Sequence, residues 1–441
     1  MSKLQPYTTY YPVQYDYVSQ LPEDWKLLPN IAIFRERIER GFDNEELLSV
    51  TIGKGVIRQS ENDIKKDSSN EDKSKYKLIK VGDIAYNRMR MWQGALGYSD
   101  YQGITSPAYV VLKPRMEINQ RFFHYMFRTG FYTNYSKRFS YGIVDDQLSL
   151  RYVDFKRMYS IVPPLETQNA IVAYLDRKTQ QIQDFIAKKE RLIELLEEEK
   201  GVYINEVINS YQTISICLKY LCNGITDGSH FSPQTITEGK SYITVTDIGK
   251  ENNIDLINCK KISEEDFTKL ERTGCRPNFG DILLTKDGTI GRAYMVHDTN
   301  DFVALSSLAI ITPSRKKILP ELLRYILISP LLVDQMFSKI QGSALTRLTI
   351  GLIKNLDIIY PSSKEDQLNI IKAIDEKHKE LNKLISKATA EIEKAKEYQE
   401  SLITQIVTGQ LKVPEKANAN LGKNIELGMV AEANGVYHSK H

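Results

Sequence analysis

The chain has 441 residues, of which 41% are hydrophobic and 26% are charged, so two or three globular domains with buried cores can form. The net charge of +3 excludes a function that depends on a diffuse polycationic surface. The N-terminal residues include no apolar run of the kind that signal peptides contain, and the longest apolar run, residues 302–312, is too short to cross a bilayer. We therefore expect a cytoplasmic protein.

The first part of the chain, residues 1–162, is predicted to be a strand-rich globular domain. Residues 47–57 and 105–114 combine β-branched residues with turn-forming glycine or proline, as buried strands do. Residues 119–129 have the pattern of a short amphipathic helix, and the polar residues 63–75 that of a loop.

A long helix is predicted next, over residues 163–209. Its apolar residues recur in two heptad columns, which is typical of a coiled-coil seam and includes Val172, Leu175 and Ile182. Residues 166–208 hold 6 Lys and Arg against 9 Asp and Glu. A net acidic helix is a poor surface for a nucleic acid, so any phosphate contacts are expected on the globular domains.

The second part of the chain repeats the first at an offset near 199 residues. Gln168 corresponds to Gln367 and Asp176 to Asp375 at that offset. A second globular domain and a second long helix are therefore predicted. The predicted order is a domain at 1–162, a helix at 163–209, a domain at 210–360, a helix at 361–413 and a tail at 414–441.

The two predicted helices are expected to pair with each other in antiparallel directions, because two copies in one chain can fold back on themselves. A zipper between two chains is the main alternative. The predicted fold is α+β, with two similar globular domains separated by two long antiparallel coiled-coil helices and related by a pseudo-twofold internal repeat.

Motifs for catalysis and cofactor binding are missing from the sequence. It contains no GxxxxGK[ST] phosphate loop, no GxGxxG after a strand, no HExxH, no GxSxG and no Asn-Pro-Pro-Tyr-like tetrapeptide that could hold a flipped adenine. Cys217, Cys222, Cys259 and Cys275 form no CxxC pair, so reduced thiols are expected rather than a zinc site. We predict no catalytic residue and no cofactor in this chain; a nuclease or methyltransferase with an unrecognised site is an alternative.

Several segments resemble the specificity subunits of type I restriction–modification enzymes. PPLETQNAIVAYLD and PSSKEDQLNIIKAID resemble the conserved helix entries of that family, and ITQIVTGQL resembles the end of its last helix. VGDIAYNRMRMWQGALGYSDYQGITSPAYVVLKP resembles the central part of one class of target recognition domain, and FGDILLTKDGTIGRAYMV resembles the middle of another. The resemblance covers about residues 20–413 and includes the duplicated order of domain and helix.

The resemblance implies that residues 1–162 and 210–360 are target recognition domains, each reading one half of a split, asymmetric site in double-stranded DNA. The helices would set the spacer and dock two modification subunits, which bind S-adenosylmethionine and methylate adenine N6. Restriction subunits that use ATP and magnesium would cleave unmodified DNA. A coiled-coil scaffold that binds only proteins is the second hypothesis.

Candidate DNA-contacting residues in the first domain lie in loops, where Arg, Lys, Asn and Gln can reach bases or phosphates. They are Lys54 and Arg58 at a glycine turn, Asn87, Arg88, Arg90, Trp92 and Gln93 after a strand, and Arg138, Tyr141 and Gln147 around a glycine loop. The alternative is that Met89, Met91 and Trp92 are core residues and the arginines are only solvated.

The second domain offers the corresponding loops. Its candidates are Thr226, Asp227, Ser229 and His230, then Lys286, Asp287, Thr289 and Arg292, then Ser343, Thr346 and Arg347. Glycines within residues 286–292 let the backbone approach a duplex while Lys286 and Arg292 reach it. A hairpin turn with surface charges is the alternative. His230 has no partner ligand at a suitable spacing, so we do not predict a metal there.

Overall fold

The computed structural model divides the chain into two compact units, each of which includes part of both long helices. Unit 1 comprises residues 1–189 and 390–441, and unit 2 comprises residues 190–389. The structure describes residues 4–15, 17–61, 73–144, 147–249, 251–297, 301–340 and 347–414. Most of the loop predicted at residues 63–75 and nearly all of the predicted tail lie outside these residues.

Unit 1 is built from short strands rich in β-branched and aromatic residues, which favour half-buried or buried pleated surfaces. Its strands are β1 (Tyr10–Tyr15), β2 (Val18–Pro22), β3 (Lys26–Pro29), β4 (Phe34–Glu36), β5 (Leu48–Thr51), β6 (Gly55–Arg58), β7 (Lys77–Ile79), β8 (Ile84–Asn87), β9 (Leu96–Tyr98), β10 (Gly103–Thr105), β11 (Tyr109–Pro114) and β12 (Tyr159–Val162). Its helices are α1 (Asn30–Ile33), α2 (Gln120–Phe127), α3 (Gly130–Phe139), α4 (Tyr152–Phe155) and the first part of α5 (Leu165–Asn209).

The main sheet of unit 1 has four antiparallel strands in the order β4–β11–β8–β9. Alternate residues of β8 enter different cores, as the two-residue period of a strand requires. Ile84 and Tyr86 join an aromatic core with α2 and α3, whereas Ala85 joins a smaller cluster under β5 and β6. Both faces of the sheet are therefore covered, which explains why β8 and β11 are apolar without alternation.

Unit 2 is also built from short strands, short helices and part of each long helix. Its strands are β13 (Ile214–Cys217), β14 (Cys222–Asp227), β15 (Lys240–Ile243), β16 (Lys260–Ile262), β17 (Ile282–Thr285), β18 (Ala293–Met295), β19 (Phe302–Ala304), β20 (Leu308–Pro313) and β21 (Asp357–Tyr360). Its helices are the end of α5, α6 (Glu264–Arg272), α7 (Pro320–Ile328), α8 (Pro330–Ser338), α9 (Ile350–Lys354) and the first part of α10 (Lys364–Val407).

The main sheet of unit 2 repeats the order of the first, with antiparallel strands β14–β20–β17–β18. Ile282 and Leu284 enter one core with α7, and Leu283 enters a second core on the opposite face. A further sheet, β16–β15–β19, pairs β15 with β19 in parallel. The repeat seen in the sequence is thus a repeat of sheet topology.

Side-chain hydrogen bonds also repeat between the units. Gln168 accepts a hydrogen bond from the backbone N–H of Asn119 at 2.8 Å, and Gln367 accepts one from Leu319 at 2.9 Å. In each unit the same glutamine amide donates to a proline carbonyl just before the long helix. Each glutamine therefore joins the start of its long helix to the loop before α2 or α7.

The aspartates of the repeat have equivalent partners as well. The Tyr125 hydroxyl donates to Asp176 at 2.6 Å, and the Tyr325 hydroxyl donates to Asp375. Both pairs attach a short helix of the globular part to a long helix. The residue pairs found at an offset of 199 therefore form equivalent hydrogen bonds in the two units.

Within unit 1, the first part of α5 packs against the last part of α10. Leu175 and Leu402 lie in one core, and the Lys189 ammonium is 2.9 Å from the Glu391 carboxylate. The residue numbers rise along one helix as they fall along the other, so the helices are antiparallel.

Within unit 2, the last part of α5 packs against the first part of α10 in the same sense. Ile204 and Ile374 share a core, and the Lys377 ammonium is 2.7 Å from Glu199. The small residue Ala388 of α10 is also buried. The predicted α+β fold and the antiparallel pairing of the two long helices are confirmed.

Replacing Gln168 with leucine is expected to destabilise the protein by about 1–3 kcal/mol, because the Asn119 N–H and the Pro163 carbonyl both lose the buried Gln168 amide as their partner. Urea unfolding measures the free energy. Gln180→Leu is the matched control on the same helix, since Gln180 is exposed and donates to the exposed Asp184, and it is expected to change stability by less than about 0.5 kcal/mol. Equal losses in the two variants would contradict the role given to Gln168.

Candidate nucleic-acid interface

In unit 2, the loops selected from the sequence meet at one end of the main sheet. Strand β14 ends at Asp227, and β17 ends at Thr285, which pairs with the first residue of β20. Since β14 and β17 both pair antiparallel to β20, the loops that follow them emerge on the same side. Arg347 joins these loops through a β-bridge to Asp287.

Charged side chains connect these loops in a continuous series. The Lys286 ammonium is 3.0 Å from Asp227 and 3.9 Å from Asp287. Asp227 in turn is 3.2 Å from the His230 ring, and Asp287 is 3.3 Å from the Arg347 guanidinium. We call these five residues the charge chain. It ties together the end of β14, the loop after β17 and the segment before α9.

Two of the predicted contact residues in unit 2 lie behind the surface. The Lys286 side chain is only 1% exposed, so the expectation that its ammonium reaches a duplex does not fit the structure. Ser229 is also buried, and its hydroxyl donates to the Phe231 carbonyl at 2.8 Å. Arg292 is half-buried and donates to the Ile248 carbonyl at 3.1 Å.

The remaining candidates in unit 2 are more accessible. Thr226, His230 and Thr289 are exposed around the charge chain. Phe231, which the sequence reasoning did not select, is 58% exposed beside His230. An aromatic residue next to a polar loop was the signal available for it. Ser343 and Thr346 lie outside the described residues.

One residue in each unit holds the interface loops together through its backbone. The Arg88 N–H donates to the Ala108 carbonyl at 3.3 Å, and the Arg88 carbonyl accepts from the Leu150 N–H at 2.9 Å. Lys286 makes the equivalent two bonds, at 3.0 and 2.8 Å, to the loop before β20 and the segment before α9. The residue just after the central strand therefore fixes three segments in both units.

The loop after β8 in unit 1 is a compact turn with its polar groups paired locally. The Asn87 side-chain oxygen accepts from the Met89 N–H at 2.9 Å, and the Trp92 indole donates to the Met89 carbonyl at 3.2 Å. Of Met89, Met91 and Trp92, only Met91 is fully buried. The Lys137 ammonium lies 4.8 Å from the centre of the Trp92 ring, and it was not among the predicted residues.

The cationic groups of this loop differ in exposure. Arg90 and Gln93 are exposed, and Arg88 is half-buried. Of the alternative in which Met89, Met91 and Trp92 are core residues and the arginines are solvated, the structure buries only Met91, since Met89 is exposed and Trp92 is half-buried.

The loop around Tyr141 lies beside the loop after β8. The two are joined because the Leu150 N–H, just after the Tyr141 loop, donates a hydrogen bond to the Arg88 carbonyl. Tyr141 pairs with Ser149 in a short bridge, and its side chain is 76% exposed. The Arg151 guanidinium lies 5.9 Å from the Tyr141 ring, a partner that the sequence alone did not suggest. Gln147 is exposed, and Arg138 lies 5.8 Å from the Tyr135 ring.

Lys54 and Arg58 lie on the β5–β6 hairpin rather than with these loops. Arg58 is 3.3 Å from Glu46 and packs over the Tyr101 ring at 4.8 Å. Lys54 lines a cavity of about 560 Å³ whose other walls come from α2, α5 and α10. The two residues therefore lie on a different hairpin from the loop after β8.

The cavity beside Lys54 contains a histidine that stays neutral. Burial, together with the cationic Arg128 and Arg121, lowers the pKa of His124 to about 3. Its Nδ1 accepts a hydrogen bond from the Tyr98 N–H at 3.1 Å, which requires the neutral ring. His124 thus serves as a fixed hydrogen-bond acceptor in this wall.

Across the described residues, no three or more His, Cys, Asp or Glu side chains gather in a way that could hold a metal ion. The four cysteines form no disulfide, and Cys259 and Cys275 are buried. In the same part of the chain, no helix combines the length and apolar character needed to cross a membrane.

Comparisons with known proteins agree with this picture. Residues 235–394 match a family model described as the type I restriction modification DNA specificity domain. Over 249 residues, or 56% of this chain, the sequence is 26% identical to the type I restriction enzyme EcoBI specificity subunit of Escherichia coli. The match spans about half (49%) of the length of that relative.

One solved structure supports the fold, and a second is less similar. A chain from a structure of complex assembly and conformational transition of the type I R-M system is similar with a TM-score of 0.64 and 16% identity, covering 89% of this chain and 99% of that one. The HsdS subunit from Thermoanaerobacter tengcongensis is similar with a TM-score of 0.46 and 17% identity, covering 89% and 98%.

The fold and the loops define a class of protein with two similar α+β units, each built onto part of the same two antiparallel helices and each presenting one set of polar loops. Residues 235–394 match the type I restriction modification DNA specificity domain, and the chain is similar to a type I restriction enzyme specificity subunit over 56% of its length.

Gly228, at the base of the charge chain, is expected to tolerate no side chain. A Cβ there would lie 2.4 Å from the carbonyl oxygens of Ala304 and Leu305, so Gly228→Ala is expected to lower the free energy of unfolding by about 1–3 kcal/mol. Gly224→Ala is the control, because Gly224 lies on β14, which ends just before Gly228, and nothing lies within 4 Å of its Cβ position. Thermal unfolding of both variants measures the difference, and equal stability would refute the close approach.

Proposed function

We propose that this chain is the non-catalytic DNA-reading subunit of a type I restriction–modification complex. The observation that carries the proposal is the repetition of one loop arrangement at the end of two similar sheets, in a chain whose residues 235–394 match the type I restriction modification DNA specificity domain. Two readers with the same framework but different side chains suit a target made of two different half-sites.

In unit 1, the reading surface we propose is cationic and aromatic. It centres on the loop after β8 and the neighbouring loop around Tyr141, whose exposed groups can contact phosphates or base edges. The residues assigned to it are Asn87, Arg88, Arg90, Trp92, Gln93, Arg138, Tyr141 and Gln147. Lys54 and Arg58 are kept as contacts to a more distant stretch of phosphate backbone.

In unit 2, the proposed reading surface has mixed charge. Carboxylates can accept hydrogen bonds from the amino groups of cytosine or adenine, and a guanidinium can donate to guanine. The residues assigned to it are Thr226, Asp227, His230, Asp287, Thr289, Arg292, Ser343, Thr346 and Arg347, with Ser229 and Lys286 supporting them from behind.

The long helices and the partner subunits complete the proposal. Target recognition domains at 1–162 and 210–360 would each read one half-site, and the helices at 163–209 and 361–413 would set the spacer. The helices would also dock two modification subunits, which carry S-adenosylmethionine and methylate adenine N6. ATP-dependent restriction subunits would then cleave unmodified double-stranded DNA. The tail at 414–441 has no assigned role.

Co-expression of the chain with the modification subunit of its own system tests the proposal. The purified complex is incubated with genomic DNA and S-adenosylmethionine, and methylated adenines are mapped. A split motif with a constant gap is the expected result. No methylation, or methylation without a motif, overturns the proposal and favours a scaffold that binds only proteins.

Arg90→Ala is expected to weaken recognition of one half-site only, by about 1–3 kcal/mol if the guanidinium reads a base. Methylation of a library with randomised half-sites measures the effect at each position. Arg272→Ala, an exposed arginine in the last turn of α6, is the control and is expected to leave the motif unchanged. An unaltered preference in the Arg90 variant would remove Arg90 from the reading surface.

Adding one heptad to both long helices, after residues 189 and 389, is expected to lengthen the spacer while leaving the half-sites the same. Seven residues extend a helix by about 10 Å, which corresponds to roughly three base pairs. Mapping of methylated sites measures the spacer. The same seven residues appended after residue 441 serve as the control. A spacer that stays constant would exclude the spacing role of the helices.

A further inference from the structure

Lys286 occupies an unusual place for a charged side chain. It follows the buried strand β17, and its side chain is 1% exposed. Burying an ammonium group costs several kcal/mol unless ion pairs offset it, and an apolar residue of similar size often stabilises a core equally well. The lysine therefore needs an explanation other than stability.

The partners of Lys286 supply that explanation. Its ammonium lies 3.0 Å from Asp227, at the end of β14, and 3.9 Å from Asp287, in the loop after β17. Each carboxylate also holds an exposed group: His230, whose side chain is 66% exposed, and Arg347, at 49%. One buried cation thus sets the positions of two outward-facing side chains on separate segments.

Charge balance gives Lys286 a second effect. The two carboxylates of the charge chain are matched in number by the two cationic side chains, Lys286 and Arg347. Without Lys286, a net negative group would face the polyanionic DNA backbone. The corresponding loop of unit 1 has Arg88 and Arg90 and no aspartate within residues 87–93, so it has no such requirement.

We propose that Lys286 is a positioning residue for DNA reading by unit 2, and that His230 and Arg347 are the side chains it aims at the duplex. This inference rests on the proposed function and goes beyond it, because it names the contacts that determine the second half-site and the buried group that controls them. Lys286 itself touches no DNA.

The test uses the methylating complex and a library in which the two half-sites are randomised separately. Lys286→Met is expected to reduce discrimination at the unit 2 half-site by about tenfold to a hundredfold and to leave the unit 1 half-site intact. The double variant K286M/D227N removes both charges of the closest pair and is expected to recover at least part of the loss. An unchanged second half-site in the single variant, or a double variant as defective as the single one, overturns the proposal.

Lys77→Met is the matched control in unit 1. Lys77 is also a buried lysine, 3.0 Å from Glu36, and its ammonium donates to the Tyr109 carbonyl at 2.8 Å. This variant is expected to leave the second half-site unchanged. An equal loss of discrimination at that half-site would show that removal of any buried lysine has the effect, and would overturn the proposal.

Two surface variants keep the inference testable if Lys286→Met does not fold. His230→Ala and Arg347→Ala change exposed side chains, so each is expected to fold and to relax only the second half-site. Unaltered discrimination in both overturns the proposal. If the unchanged protein directs no split motif, the proposed function itself has failed, which is a separate result from a split motif that these variants leave intact.

Discussion

The backbone of one residue after the central strand organises each interface. Three segments meet at Arg88 in unit 1, and three meet at Lys286 in unit 2. In each case the backbone N–H of that residue donates to one neighbouring segment, and its carbonyl accepts from another. Polar backbone groups in such a position must be paired, so the three segments cannot separate without leaving them unsatisfied. The loops are therefore held by main-chain bonds, and their side chains can vary without loss of the framework.

That independence of framework and side chain accounts for the differences between the units. Unit 1 presents arginine, glutamine and aromatic groups, whereas unit 2 presents carboxylates, a histidine and an arginine around a buried lysine. The sheets behind them share one strand order and the same type of attachment to the long helices, through Gln168 and Gln367. A duplicated scaffold with divergent loops is the physical basis of the two-half-site reading that we propose.

Much of this organisation was predictable from local sequence. The internal repeat identified equivalent residues, the heptads predicted the helices, and the strand-following positions predicted where polar loops would emerge. These features depend on period and spacing, which are properties of neighbouring residues. The family resemblance was also correct, because it rested on the order of motifs along the chain.

The errors came from residues whose role depends on distant partners. Lys286 and Arg292 look alike in sequence, as basic residues at the two ends of a glycine turn, yet Lys286 is buried because Asp227, about sixty residues earlier, supplies its counter-charge. Lys54 lines a cavity beside α2, α5 and α10, a position that the sequence did not indicate, and its predicted contact with phosphate stays a prediction. By itself the sequence determined the long helices, the duplication and the resemblance to a family. Only the tertiary structure decided which charges face solvent, because burial and ion pairing are set by contacts between segments far apart in the chain.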